Sequence, residues 1–467
     1  MSRPCFMTIW TPDPSGLHRP AYLSLAEQYA RAIRDGMLPA GTRLPPQRRL
    51  ADDLGLSVQT VSRAYEELIR RGLVVGEVGR GSFVLPPGSE NTPPYLAERL
   101  GELIDLSILK PVTERMHVET FREGLHWVAE NLPVPAALSF RPSSVLPQHR
   151  QIAADWLRRG GIDAQPENIT ITDGATSAIT TAVMSAVPAG DTLAAAALTH
   201  HLLMPLCKYL GLHLEGLPVD EDGIVPEALD HLARKGSLRA LYMQPAAINP
   251  MAIMSSAERR AELAAIARRH DLLVIENDML NVMIPDRPPP MAALAPERVL
   301  HINGFTKTTL PGLRVAWLLS PARLASATAN RHLVTNWMAT PAMVELLSHW
   351  IGDGTVDRLI LWQREALGAR HRIAREVLGA APFRAHPQSL HIWLELPPGR
   401  DEEEFVAQAR QRGVAVASGR AFRLSERGRR DAVRIALGST GADELRRGLT
   451  LVAETLGGSA EPLLPLI

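Results

Sequence analysis

Apolar positions recur at helical spacing from Tyr22 to Gly36, with Leu25, Tyr29 and Ile33 on one face. This predicts an amphipathic helix that stops at glycine. Pro45 and Pro46 open a second helix that ends near Gly55, and Ser57 to Arg71 makes a third, closed by Gly72. Short strands at 73–75 and 82–84 flank a glycine-rich turn, Gly76–Gly81. Periodicity then breaks at Pro86–Pro94, a proline-rich run that reads as a semi-extended linker.

From about residue 116 onward, helical segments alternate with short apolar runs. The runs are 168–172, 192–197, 240–243, 272–275, 299–303 and 315–319. Such alternation predicts an α/β fold, a mostly parallel sheet with helices on both faces. The expected divisions are an N-terminal segment with a small domain of three helices and a hairpin at 1–86, a linker at 87–115, and a large domain at 116–467. No internal repeat is evident.

Composition narrows the picture. A chain of 467 residues exceeds a single core, so two or three domains are expected. Formal net charge is zero, so any nucleic-acid contact must come from a local patch. Cys5 and Cys207 stand far apart with no metal-ligand spacing, which fits a reducing compartment and no disulfide framework. The N-terminus lacks a signal-peptide core, and the apolar stretch 182–198 is interrupted by Pro188, Gly190 and Asp191. The expectation is a cytoplasmic protein with no membrane partner.

The third helix suits a reader of double-stranded DNA. Ser57 is a good N-cap, and Val61, Ala64, Tyr65 and Leu68 form a face to bury. Gln59, Thr60, Ser62 and Arg63 lie toward the exposed side near the N-terminus, the end a recognition helix presents to the major groove. Arginine suits guanine, glutamine suits adenine, and hydroxyls suit bases or phosphates. Arg80 sits at a hairpin tip between two glycines.

Only four lysines occur, Lys110, Lys208, Lys235 and Lys307. Lys307 follows an apolar strand, and the loop closes at Pro311-Gly312 before Arg314. A lysine amine held near neutrality forms a Schiff base with an aldehyde, and a nearby arginine offers a fork for phosphate. Gly174, Ala175, Thr176 and Ser177 follow a strand and open a helix, a backbone suited to phosphate. Asn249 follows another strand, and Arg434 lies within the apolar Ala-Val-Arg-Ile-Ala-Leu run. An arginine there is either a solvated edge residue or a carboxylate receptor.

The segments Leu44–Ala51, Leu56–Tyr65 and Gly79–Val84 together resemble the GntR-type winged helix. That resemblance puts the DNA contacts on Arg48, Ser57, Gln59, Thr60, Arg63 and Arg80. One departure is Val58, where the family often has arginine. Residues from about 120 to 450 resemble fold-type I aminotransferases, whose smaller C-terminal part is α+β. The whole chain is similar to MocR-type (GabR-like) members of the GntR regulators. The resemblance implies pyridoxal 5'-phosphate bound as an internal aldimine on Lys307. Arg314 and the loop Gly174, Ala175, Thr176 and Ser177 would grip the phosphate, and Thr306 would also contact the cofactor. Asn249 would meet the ring oxygen, and Arg434 an effector carboxylate.

Two departures bear on chemistry. His200 stands where the family stacks a tyrosine on the pyridine ring. The adjacent His201 is expected on the opposite face, with no third ligand, so no metal is expected. The family's Glu-Asp-Asp-Tyr reads Glu276-Asn277-Asp278-Met279 here. Asn277 replaces the aspartate that protonates the ring nitrogen, and Met279 replaces the tyrosine. Strand alternation turns Asp278 to the other face. An amide supports an electron sink less well than a carboxylate. No catalytic residue is therefore assigned.

The expectation is a regulator, not an enzyme. It would sense a small amine or amino acid by external aldimine formation. It would act as a homodimer, head-to-tail in this family, on an operator with paired half-sites. The rival readings are a working aminotransferase on a DNA tether and a cofactor-free dimeric repressor.

Overall fold

The computed structural model describes residues 10–18, 20–70, 72–77, 81–85, 103–138, 147–424 and 430–458. The chain forms two compact units, Met1–Glu98 and Arg99–Ile467.

In the first unit, helices Ala21–Arg34, Gln47–Leu54 and Val58–Arg70 precede a hairpin of Val74–Glu77 and Gly81–Val84. Leu25, Ala26, Tyr29, Val61, Ala64, Tyr65 and Leu68 are buried together with Val74 and Val84. The Tyr65 hydroxyl donates to the Pro45 carbonyl at 2.8 Å, tying the third helix to the start of the second. Gly55 ends the second helix in the left-handed region at φ 64°, where glycine carries no Cβ penalty.

The second unit is built on a seven-stranded sheet. Its spatial order is Ile169–Thr172, Ala316–Leu319, Val299–Gly304, Leu273–Asn277, Leu238–Met243, Thr192–Ala196, His213–Leu217. Ala316–Leu319 runs antiparallel to both neighbours, and all other pairings are parallel. Both faces are covered, and four of the central strands are buried along their whole length. That is why they read as apolar runs without alternation. On one side Trp317 packs edge to face with both Trp156 and Phe305. Ala178, Val183, Tyr242 and Ile275 fill the other.

A smaller antiparallel sheet, Phe383–Ala385, His391–Glu395, Ala432–Ala436 and Ala417–Ser418, packs on Ala442–Gly457 and Glu402–Gln411. The expected linker of 87–115 ends sooner than its composition suggested. Ile104–Asp105 already pairs in parallel with Val414–Ala415 in the large unit. Leu106 continues the contact, its N–H reaching Ala415 and its carbonyl accepting from Ala436. Among the described residues no helix is long and apolar enough to cross a membrane.

Candidate functional site

The site lies at the carboxyl ends of the central parallel strands, where loops diverge. Gly174 caps the Ala175–Ala186 helix at φ 100°, with no side chain closing its N-terminal N–H groups. The Arg314 guanidinium lies against it. A Cβ at Gly174 would sit 2.8 Å from Arg314 Cζ, so only glycine permits this approach. Arg314 donates to the Asp173 carbonyl at 3.1 Å. A cation and a free helix N-terminus thus converge, the arrangement an anionic phosphate requires. Ala175 and Thr176 occupy the first turn; Thr176 points outward, whereas Ser177 is buried. The hydroxyls of Ser177 and Thr306 are buried without a partner, donors unsatisfied within the protein.

Lys307 reaches its Nζ to the Leu109 carbonyl. Burial, with the Arg434 and Arg314 guanidiniums nearby, pushes its ammonium down to about 8. At pH 7 about a tenth of it is therefore the neutral amine, far more than for an ordinary lysine.

Arg434 is central in the small sheet, not at an edge, flanked by His391–Glu395 and Ala417–Ser418. The solvated-arginine reading thus falls: it is buried, and desolvation lowers it to about 10, leaving it charged at neutral pH. Its Nη1 donates to Asn249 Oδ1 at 2.8 Å and its Nη2 to the Ser107 carbonyl at 2.7 Å. The guanidinium lies 4.7 Å over the Phe422 ring. Among the described residues it pairs with no carboxylate, and its Nε has no partner. A buried guanidinium held only by neutral groups calls for an anion.

Asn277 ends its strand and donates from Nδ2 to the Tyr242 hydroxyl at 2.8 Å, leaving its own Oδ1 without a partner. Tyr242 was not singled out by sequence reading; a strand tyrosine ordinarily signals only core. Asp278 faces the other way, as alternation requires, and pairs with Arg287. It thus does not substitute for the carboxylate missing at Asn277. Met279 packs on Gly304, where a Cβ would meet its Cε at 2.6 Å.

The expectation for His200 and His201 needs correction. Their rings do not leave on opposite faces but stack, centroids 4.7 Å apart at 25°. The reason is that 199–202 is a loop ahead of the Leu203–Tyr209 helix, so strand alternation does not apply. Burial and mutual proximity hold His200 well below its usual range. Burial and the Arg434 charge bring His201 to about 4. Both are neutral at physiological pH. His200 Nδ1 is buried without a partner.

Glu276, Asp278 and His301 cluster closely enough to suggest a metal. The cluster is already balanced. Glu276 accepts from the Met291 and Ala292 amides and from His301, and Asp278 holds Arg287. Buried Arg260 lies close by and donates to the Pro245, Ser255, Pro288 and Pro289 carbonyls. Two arginines leave little call for a further cation.

In the first unit, Ser57 caps the third helix, its hydroxyl accepting from the Thr60 N–H at 3.1 Å and lying 2.9 Å from the Thr60 hydroxyl. Arg48, Gln59 and Arg63 are exposed. Arg63 lies over Tyr22 at 4.4 Å, and Ser62 bonds Glu66 at 3.4 Å, so both are partly engaged locally. Arg80 lies outside the described residues.

This second unit has the fold of the pyridoxal-dependent aminotransferases. Residues 126–450 match the family described as aminotransferase class I and II, and residues 21–84 match bacterial regulatory proteins of the gntR family. Among solved structures, an archaeal alanine:glyoxylate aminotransferase superposes with TM-score 0.70 at 24% identity, covering 76% of this chain and 91% of that one. A Pyrococcus horikoshii kynurenine aminotransferase gives the same score at 21% identity, with the same coverage.

The chain belongs to the aminotransferase class I and II family and, with its winged helix, to the MocR-type GntR regulators. It is 26% identical over 450 residues to the uncharacterized HTH-type transcriptional regulator YdeF of Bacillus subtilis, with 96% of each chain covered. It is 26% identical over 376 residues to the pyridoxine biosynthesis regulator PdxR of Corynebacterium glutamicum, covering 78% of this chain and 81% of that one. It is also 26% identical over 396 residues to the probable rhizopine catabolism regulatory protein MocR of Rhizobium meliloti, covering 76% of each.

Proposed function

We propose that this transcription regulator holds pyridoxal 5'-phosphate on Lys307 and uses it to sense a carboxylate-bearing amine. The observation that carries the reading is the pairing of a near-neutral buried lysine with a buried guanidinium lacking any carboxylate partner among the described residues. The residues fit the cofactor. Gly174, Arg314 and the unpartnered Ser177 and Thr306 hydroxyls would receive its phosphate, and Asn277 its ring nitrogen. His200 would face the ring, with Met279 alongside, and the Asn249 amide nitrogen would face the ring oxygen.

When bound, the cofactor supplies an aldehyde carbon that condenses with primary amines. Lys307 offers the first amine and yields to the effector's; Arg434 orients the effector through its carboxylate. Neutral His200 and His201 add no further charge to a site already holding three cations. Asn277 lacks the negative charge that would hold a proton on the ring nitrogen, which favours binding and exchange over turnover.

The winged helix reads DNA through Arg48, Gln59, Thr60, Ser62, Arg63 and Arg80, with Ser57 capping the start of the third helix. A homodimer on paired half-sites, head-to-tail, completes the proposal. Exposed Val118, Leu125, Val134 and Leu138 on neighbouring helices support a partner surface.

Absorption spectroscopy tests the core. The full chain mixed with pyridoxal 5'-phosphate should develop an imine band that borohydride bleaches, and Lys307→Ala should lack it. Titrating amino acids should shift the band without steady-state keto-acid production. A chain with no band is a cofactor-free repressor, and one with sustained turnover is an aminotransferase.

A further inference from the structure

Both reactive cations of the site are held by the backbone of one short segment. Ser107 offers its carbonyl to Arg434, and Leu109, two residues on, offers its carbonyl to Lys307. The segment is a bow between two anchors. On one side Leu106 is hydrogen-bonded to Ala415 and Ala436, and Asp105 Oδ1 accepts from the Ser107 N–H at 2.9 Å and from its hydroxyl at 2.7 Å. On the other, Lys110–Val112 press against Gly438, where any Cβ would overlap the Lys110 carbonyl. The segment precedes the 126–450 aminotransferase match, and it is the described stretch of the large unit nearest in sequence to the reader.

We infer that the Leu106–Lys110 strap reports occupancy of the site to the chain leading to the winged helix. This rests on the cofactor reading above and names its regulation. The competition is chemical. Condensation of Nζ with an aldehyde forms a carbon–nitrogen double bond and expels the aldehyde oxygen as water, with two protons taken from the amine. The nitrogen keeps at most one proton, in the plane of the new bond, and loses the free amine that Leu109 accepts from. A carboxylate arriving at Arg434 likewise competes with the neutral Ser107 carbonyl, and charge-assisted bonds prevail over neutral ones. Filling the site thus removes both tethers and leaves the strap on its anchors alone, so the Leu106 and Ser107 hydrogen bonds open more often.

Hydrogen exchange on the full chain tests this, with two probes. One is pyridoxal 5'-phosphate. The other is 4'-deoxypyridoxine 5'-phosphate, which carries a methyl in place of the aldehyde and leaves Lys307 free. The Leu106 and Ser107 amides should exchange at least tenfold faster with the first probe and remain near the ligand-free rate with the second. Gly438→Ala, which pushes the strap outward, should raise the same exchange without any probe. It should also shift affinity for a duplex selected by the wild-type chain in the direction pyridoxal 5'-phosphate does. If that variant does not fold, Asp105→Ala, which removes the Ser107 cap, takes its place. A normal borohydride-sensitive band with strap exchange unchanged overturns the strap alone. Absence of any band overturns the cofactor reading, and the strap with it.

Discussion

At the residue scale, Lys307 sets a pH dependence. Its folded value of about 8 lies below the ordinary lysine value, so the folded chain binds this proton less tightly than the unfolded one. The sign follows: the buried charge costs stability below about 8, and that cost is relieved as pH rises from there toward the ordinary value near 10.5. Only the neutral amine attacks an aldehyde. Capture of pyridoxal 5'-phosphate should accelerate about tenfold per pH unit below about 8 and level off above it, as read by stopped-flow absorbance. Gly174→Ala places a Cβ against Arg314 and strains a backbone at φ 100°. Cofactor affinity should fall by at least about tenfold in a spectroscopic titration, with the fold retained. Asn277→Asp would put a carboxylate where the ring nitrogen is proposed to lie. It should speed α-proton exchange of bound amino acids in deuterated water, followed by nuclear magnetic resonance; no acceleration would show that Asn277 does not face the ring nitrogen.

At the element scale, the second and third helices of the reader should make two kinds of contact. Gln59→Ala should relax preference at one base position. Arg48→Ala should weaken binding to all duplexes alike and lower the salt slope by about one. Ser57→Ala removes the hydroxyl that caps the Thr60 N–H and should cost about 1 kcal/mol in thermal or denaturant unfolding.

These elements were legible because their signals are local: a cap, an opening proline pair, a closing glycine. The central strands were legible because burial on both faces makes them uniformly apolar. The edge strand His213–Leu217 was not, since its residues alternate between exposed and half-buried up to Leu217. Lys307, Arg314 and Arg434 announce themselves by side-chain chemistry. The Ser107 and Leu109 carbonyls have no such signature, because a backbone acceptor is the same in every residue. His200 and His201 were misjudged for the same reason that strand logic fails in a loop.

At the scale of the molecule, the two units should respond separately to the cofactor. A ligand that binds one folded unit stabilises that unit, by about 2.7 kcal/mol at a hundredfold excess over Kd. Calorimetry should show pyridoxal 5'-phosphate raising the transition of the large unit while that of residues 1–98 stays in place.

The Ile104–Asp105 pairing carries a consequence for biogenesis. That first strand of the large unit finds its partner only at Val414–Ala415, roughly three hundred residues later on the ribosome. The three helices and hairpin ahead of it share a core of their own among the described residues. A nascent chain therefore completes its gntR-type domain long before its aminotransferase-like unit can close, so a stalled or truncated product would carry the first without the second.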